Sequence, residues 1–188
     1  MSSITTKFGD TGDTRLYSGQ TVSKKSKRIW STGDIDELVS VLGVAYATLS
    51  LHCSAGDDKN YLLEEITYIQ RKLFLVASEI ATMEPVLSRL KERIDLSAMD
   101  LLDEKRDALE SKVTLPTGFI LPGANLVSAH LDVARATSRR CERIITDLYN
   151  EGIITNRYLL MWMNRLSDYL YLLARYSEQG NYRMVKEQ

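Results

Sequence analysis

The sequence predicts an all-α fold: an up-and-down bundle of about five helices with an irregular N-terminal arm. Three observations carry this reading. Apolar residues recur at spacings of three and four along five separate stretches. No stretch keeps a sustained apolar–polar alternation. The three prolines, Pro85, Pro116 and Pro122, fall outside the helical cores, and the short links favour antiparallel neighbours. At 188 residues the chain has the size of one domain, with enough length to bury a real core.

Residues 1–33 are rich in Gly, Ser, Thr and Lys, and read as an arm carrying chemistry rather than core; the bundle then occupies 34–188. The first helix is predicted from near Asp34, where Asp34 and Glu37 resemble a capping box. Ile35, Leu38, Leu42, Ala45 and Leu49 form its apolar face, and Ser54, Gly56 and the Asp57–Asp58 pair end it. In the second helix Leu62, Ile66, Ile69, Leu73, Val76 and Ile80 alternate by four and three, and the pattern fades by Met83. A third, more charged helix is predicted over about 85–111, on Leu87, Leu90, Ile94, Leu101, Leu102 and Leu109. The turn-rich LPTGFILPGAN follows. The fourth helix, about 125–150, is expected to turn Leu126, Ala129, Val133, Ala136, Ile144 and Leu148 inward. The fifth, about 154–178, buries Leu159, Trp162, Leu166, Tyr169, Leu170 and Leu173.

A formal net charge of -1 argues against a general nucleic-acid binder and leaves room for a local basic pocket. Cys53 and Cys141 are too few for a disulfide framework and read as buried thiols in a reducing compartment. No apolar stretch is read as approaching membrane-spanning length, and no signal-peptide pattern opens the chain. A cytoplasmic protein without a membrane partner is expected.

The residues that bear chemistry cluster in a few segments. In RATSRRCER, Arg135, Arg139 and either Glu142 or Arg143 lie three or four apart on one helix face. Stacked cations repel, and guanidinium forks suit phosphate oxygens, so an anion is expected against them. TKFGDTGDT offers the turn-forming Gly9 and Gly12, the hydroxyls of Thr6, Thr11 and Thr14, the cation of Lys7, and Asp10 and Asp13. It lacks the spacing of a Walker A loop, and a plain polar arm remains the alternative. SKKSKR is a solvated loop or, beside a polyphosphate, a source of one neutralising lysine. Glu37 suits the helix dipole. Asp36 instead has the option of pairing with a stripe arginine, in its own or a neighbouring chain. Phe119 in the linker is either a core plug or a ligand contact. Asn164 and Asp168 share a face of the fifth helix, where Asn is a poor helix former. His52 and His130 are isolated, so a zinc or di-iron site is not expected, and no nucleophile elbow is present.

Together these segments resemble the PduO-type corrinoid adenosyltransferases. TKFGDTGDT, KKSKR followed by GDIDELV, FILPGA, RATSRRCER and NRLSD match that family's motifs in order and separation, from residue 6 to about 175. The resemblance implies transfer of the 5′-deoxyadenosyl group from ATP to the Co(I) of cobalamin, giving adenosylcobalamin and triphosphate. It also implies a homotrimer with sites between subunits. Thr6, Lys7, Phe8, Gly9, Asp10 and Thr14 would line the ATP site. Lys24, Arg139, Arg140 and Arg143 would contact phosphate, with Glu142 holding that network or Mg2+. Asn164 would contact the nucleotide, Asp36 would pair with Arg135 across subunits, and Phe119 would press on the lower corrin face. A flavin or other Co(II) reductase and an adenosylcobalamin-dependent mutase or dehydratase are the partners implied. A non-catalytic ATP or corrinoid sensor is the alternative on the same fold. The chain departs from the family pattern at Thr32, Val39, Ala124 and Asp132, the last standing where a histidine is usual.

Overall fold

The computed structural model describes residues 5, 7–52 and 56–185. Five α-helices form the bundle: α1 (Lys27–His52), α2 (Asp57–Ile80), α3 (Leu96–Glu110), α4 (Leu126–Asn150) and α5 (Arg157–Glu178). α4 lies between α1 and α5, α2 packs on α1, and α3 packs on α5. Two short antiparallel pairs decorate the bundle: β1 (Asp13–Arg15) with β2 (Thr21–Ser23), and β3 (Ile120–Leu121) with β4 (Arg183–Met184).

The apolar seams predicted for α1, α2 and α5 are all buried. Burial of such stripes, rather than intrinsic propensity, holds helices of this length in place. α1 alone among the described helices is long and apolar enough to cross a membrane, with a mean hydropathy of 1.2 over 18 residues. This overturns the expectation that no stretch approaches that length. Its stripe of Ile35, Leu38, Leu42, Ala45 and Leu49 belongs to the bundle core.

α1 begins at Lys27, seven residues before the predicted start. Ser26 caps it, its Oγ accepting from the Ile29 amide at 3.4 Å and its carbonyl from Trp30 at 3.2 Å. Asp34 and Glu37 are therefore mid-helix and form no capping box. Arg28 fixes this start by donating to the carbonyls of Ile80 and Ile153, each at 2.5 Å. Lys27 pairs with Glu151. The basic run is thus a structural joint between three elements, not a freely solvated loop.

The predicted third helix is broken. A 3-10 turn, Glu84–Arg89, is followed by extended residues, and α3 starts only after Asp95. Asp95 accepts from the Ala98 amide at 2.9 Å, a cap that the weak apolar pattern concealed. The buried Glu79 holds the intervening segment through Arg93 at 2.7 Å and Asn156 at 2.9 Å.

α4 presents a different face to the core than predicted. Val127, Leu131, Ala134, Cys141, Ile145 and Leu148 are buried, together with Ser128, Asp132, Thr137 and Ser138. Leu126, Val133 and Ala136, expected inside, are exposed, and Ala129 and Ile144 are half-buried. Only Leu148 of the predicted set is fully inside. The inward face carries polar residues that hydrogen-bond locally, as in the capping box of Asn125 and Ser128.

Candidate functional site

The outward face of α4 changes character along its length. At its N-terminal end Leu126 and Val133 are exposed apolar side chains. Toward the C-terminal end, roughly 100° around the helix from them, the exposed Arg139 and Arg143 share a face. Neither makes a hydrogen bond or ion pair with any described residue of the chain. Arg140, one position from Arg139, turns toward α1 and is engaged by Glu37 and, at 3.6 Å, by Asp34. Glu37 therefore serves an ion pair rather than the helix dipole.

Arg135 and Arg139 line a cleft of about 370 Å³ together with Arg106, Glu110, Asp168 and Tyr171. Arg135 reaches Asp132 through its Nε at 3.4 Å. It forms no pair with Asp36 of its own chain. Asp36 is exposed and has no hydrogen bond or ion pair with any described residue. The same-chain alternative is thereby removed.

Glu142 and Asn164 meet. The Asn164 amide donates to Glu142 Oε1 at 2.9 Å, and Arg165 donates to Asn164 Oδ1 at 2.9 Å. This bridge between α4 and α5 explains an asparagine inside a helix. Glu142 is half-buried, and its Oε2 has no hydrogen bond or ion pair among the described residues. Among the described residues, no group of three or more His, Cys, Asp and Glu side chains is placed to hold a metal ion. A Mg2+ ion here would rest on Glu142 and on substrate phosphates, a donor set that suits this ion.

The N-terminal arm is an ordered turn and hairpin. Phe8–Thr11 form a 3-10 turn entered through Lys7 at φ 58° and left through Gly12 at φ 91°. Lys24 joins both ends of this loop: its Nζ donates to the Gly9 carbonyl at 2.8 Å and its amide to the Gly12 carbonyl at 2.9 Å. A Cβ at Gly9 would lie 2.8 Å from that ammonium nitrogen, so glycine permits the approach. Arg15 stacks over Phe8 at 4.8 Å, Asp10 is exposed, and Thr14 is half-buried on β1. Thr6 lies outside the described residues. The structure thus ties Lys24 to the Gly9–Gly12 loop.

Within one chain the arm and the arginine stripe stay apart. The root of the arm is tied to the C-terminal end of α4, where Lys27 pairs with Glu151. That point is eight residues, roughly 12 Å, beyond Arg143. Among the described residues, no hydrogen bond or ion pair joins 7–24 to 135–143.

Phe119 is 89% exposed and plugs no core. Its carbonyl accepts from Val185 at 2.9 Å, so β4 anchors the loop while the ring projects outward. Arg106, Glu110, Tyr171 and the buried Arg175 escaped the sequence reading. Their only signal was a charged or aromatic residue in an otherwise ordinary helix.

The family model described as Cobalamin adenosyltransferase matches residues 4–177. A corrinoid adenosyltransferase of Citrobacter freundii is 35% identical over 181 residues, covering 95% of this chain and 96% of that protein. The corrinoid adenosyltransferase PduO of Salmonella typhimurium is 34% identical, and its match spans 92% of this chain and 48% of that longer protein. A solved variant of the PduO-type ATP:corrinoid adenosyltransferase of Lactobacillus reuteri, complexed with cobalamin and ATP, superposes with a TM-score of 0.83 at 34% identity. That match covers 98% of this chain and 100% of the other. With the family model spanning nearly the whole helical bundle and its arm, the chain belongs to the cobalamin adenosyltransferase family.

Proposed function

We propose that this protein transfers the 5′-deoxyadenosyl group of ATP to the Co(I) of cobalamin, releasing adenosylcobalamin and triphosphate. The observation that carries the reading is the pair of uncommitted guanidinium groups, Arg139 and Arg143, on the outer face of α4. Cations kept without a counter-ion on a folded surface suit a polyanionic ligand. The exposed apolar Leu126, Val133 and Phe119 suit the other substrate, a large macrocycle.

Cob(I)alamin is itself a strong nucleophile, so the protein supplies neither nucleophile nor general base. A cobalt–carbon bond forms at C5′ as the C5′–O bond breaks, and the electron pair leaves with the triphosphate. The residues have two tasks: to aim C5′ at cobalt, and to stabilise the departing charge. Arg139, Arg143 and Lys24 serve the second. Arg140 joins them only by giving up Glu37 and Asp34. Mg2+, when bound with ATP at Glu142, adds charge neutralisation. Asn164, held by Glu142 and Arg165, contacts the nucleotide. Thr6, Lys7, Phe8, Gly9, Asp10 and Thr14 close over it.

The arm and the stripe reach one triphosphate by belonging to adjacent subunits. The unpaired Asp36 of one protomer meets the Arg135 of the next, and a homotrimer closes the site. Phe119 excludes the lower axial ligand of cobalt, which makes Co(II) easier to reduce by a flavin or other reductase. The product would pass to an adenosylcobalamin-dependent mutase or dehydratase in the cytoplasm. The test is an anaerobic assay with ATP, Mg2+ and chemically reduced cobalamin. Appearance of the light-sensitive cobalt–carbon product, with equimolar triphosphate, supports the reading. ATP binding without either product would mark a sensor instead.

A further inference from the structure

We propose that Arg175, acting through Asp132, is a positioning residue for Arg135. The inference rests on the site reading above, and the residues that carry it lie behind that site.

Arg175 sits on α5 at 1% exposure, the most buried cation of the described chain. Its Nε donates to Glu178 Oε2 at 2.8 Å, and its NH2 donates both to Glu178 Oε1 at 3.1 Å and to Asp132 Oδ2 at 2.7 Å. Its guanidinium stacks over the Tyr171 ring at 4.9 Å. Glu178 and Asp132 are also buried. Every group in this set is therefore held by at least one other, and none is free to re-orient without leaving a buried charge unpaired.

The set contains two carboxylates and one guanidinium, which leaves one negative charge uncompensated. Asp132 Oδ1 is the oxygen that Arg175 does not use. It receives Arg135 Nε at 3.4 Å. Arg135 is the fourth member, and it balances the set. It is also the only one of the four that reaches the cleft shared with Arg139. Because Asp132 takes the Nε edge, the two terminal amino groups of Arg135 keep no partner within the described chain. Those groups are the ones left to meet a carboxylate from outside the protomer. Asp132 thus acts as a fixed post, Arg175 and Glu178 as its footing, and Arg135 as the arm it aims.

The test is a double-mutant cycle on the full-length enzyme, following kcat/KM for ATP with cob(I)alamin supplied, and the thermal midpoint of each variant. Arg135→Ala is expected to lower kcat/KM at least ~10-fold. Asp132→Asn is expected to lower it ~5-fold or more in the parent, yet less than ~2-fold when Arg135 is already Ala. Its thermal cost should be similar in both backgrounds. Arg175→Lys keeps a cation on Asp132 but loses the fork onto Glu178. It serves if Asp132→Asn does not fold, with the same dependence on Arg135 expected. Equal kinetic losses in both backgrounds would make Asp132 a structural residue only and overturn the inference. An Arg135→Ala enzyme with parental kinetics would instead overturn the site reading on which the inference rests.

Discussion

Arg139 and Arg140 are neighbours in sequence and opposites in use. A step of 100° around α4 separates them. Arg140 faces α1, where Glu37 and Asp34 consume its charge. Arg139 faces the cleft and has no counter-ion among the described residues. Residue type alone does not mark a ligand-binding arginine. What marks it is an unspent charge beside a concave surface. The α1-facing side of α4 holds the fold together, and the outward side is kept open for something the single chain does not contain.

The largest expected effect follows from the open side. Arg139→Ala should lower turnover at least ~10-fold, since charge-assisted contacts to a leaving group are worth several kcal/mol. Steady-state kinetics with cob(I)alamin supplied checks this, and parental kinetics would erase the contrast. Phe119→Ala comes next, because the ring is exposed and its loss should cost little stability. It should lose several-fold more activity when the assay starts from Co(II) than from Co(I). Equal losses in the two assays would refute the wedge role.

Arg140→Ala sharpens the comparison from the other side. Its surface ion pair is worth about 1 kcal/mol or less, so the thermal midpoint should fall by only a few degrees. Its kinetic loss should stay well below that of Arg139→Ala. A loss equal to or above it would place Arg140 on the phosphate.

The smallest effect concerns pH. Burial pushes the Cys141 thiol, on the α1-facing side, up from 9.0 to about 12. A hydrogen bond to Asp58, with some burial, pushes Tyr176 up to about 12. Both groups hold their protons more tightly when folded than unfolded. Their contribution to stability is therefore complete below about pH 9 and is lost as pH rises toward 12. Thermal midpoints should stay level through pH 8 to 9 and fall above it. A level profile up to pH 11 would contradict the burial argument.

Much of the fold was legible because α2 and α5 keep uninterrupted spacings of three and four, and their stripes are the core. α1 was legible in its face but not its start. Its cap, Ser26, lies inside a basic run that reads as solvated, and Gly33 suggests a boundary where the helix simply continues. α4 misled in the most informative way. It buries Ser128, Asp132, Thr137 and Ser138 and exposes Leu126 and Val133. Apolar patterning assumes that the only apolar partner is the chain's own core, and here the outward face is built for something else. The arginine stripe was visible from spacing alone. The buried Arg175 was not, because a cation in a last turn reads as a dipole complement, whereas one of its partners, Asp132, lies 43 residues away on another helix.

The most direct measurement is a crystal structure of this protein with ATP and Mg2+. The account predicts the triphosphate within hydrogen-bonding distance of Arg139 on one protomer. Lys24 and the loop of residues 7–14 from an adjacent protomer should close over the same triphosphate. A triphosphate bound elsewhere, or one touched by the arm but not by the α4 stripe, would contradict it.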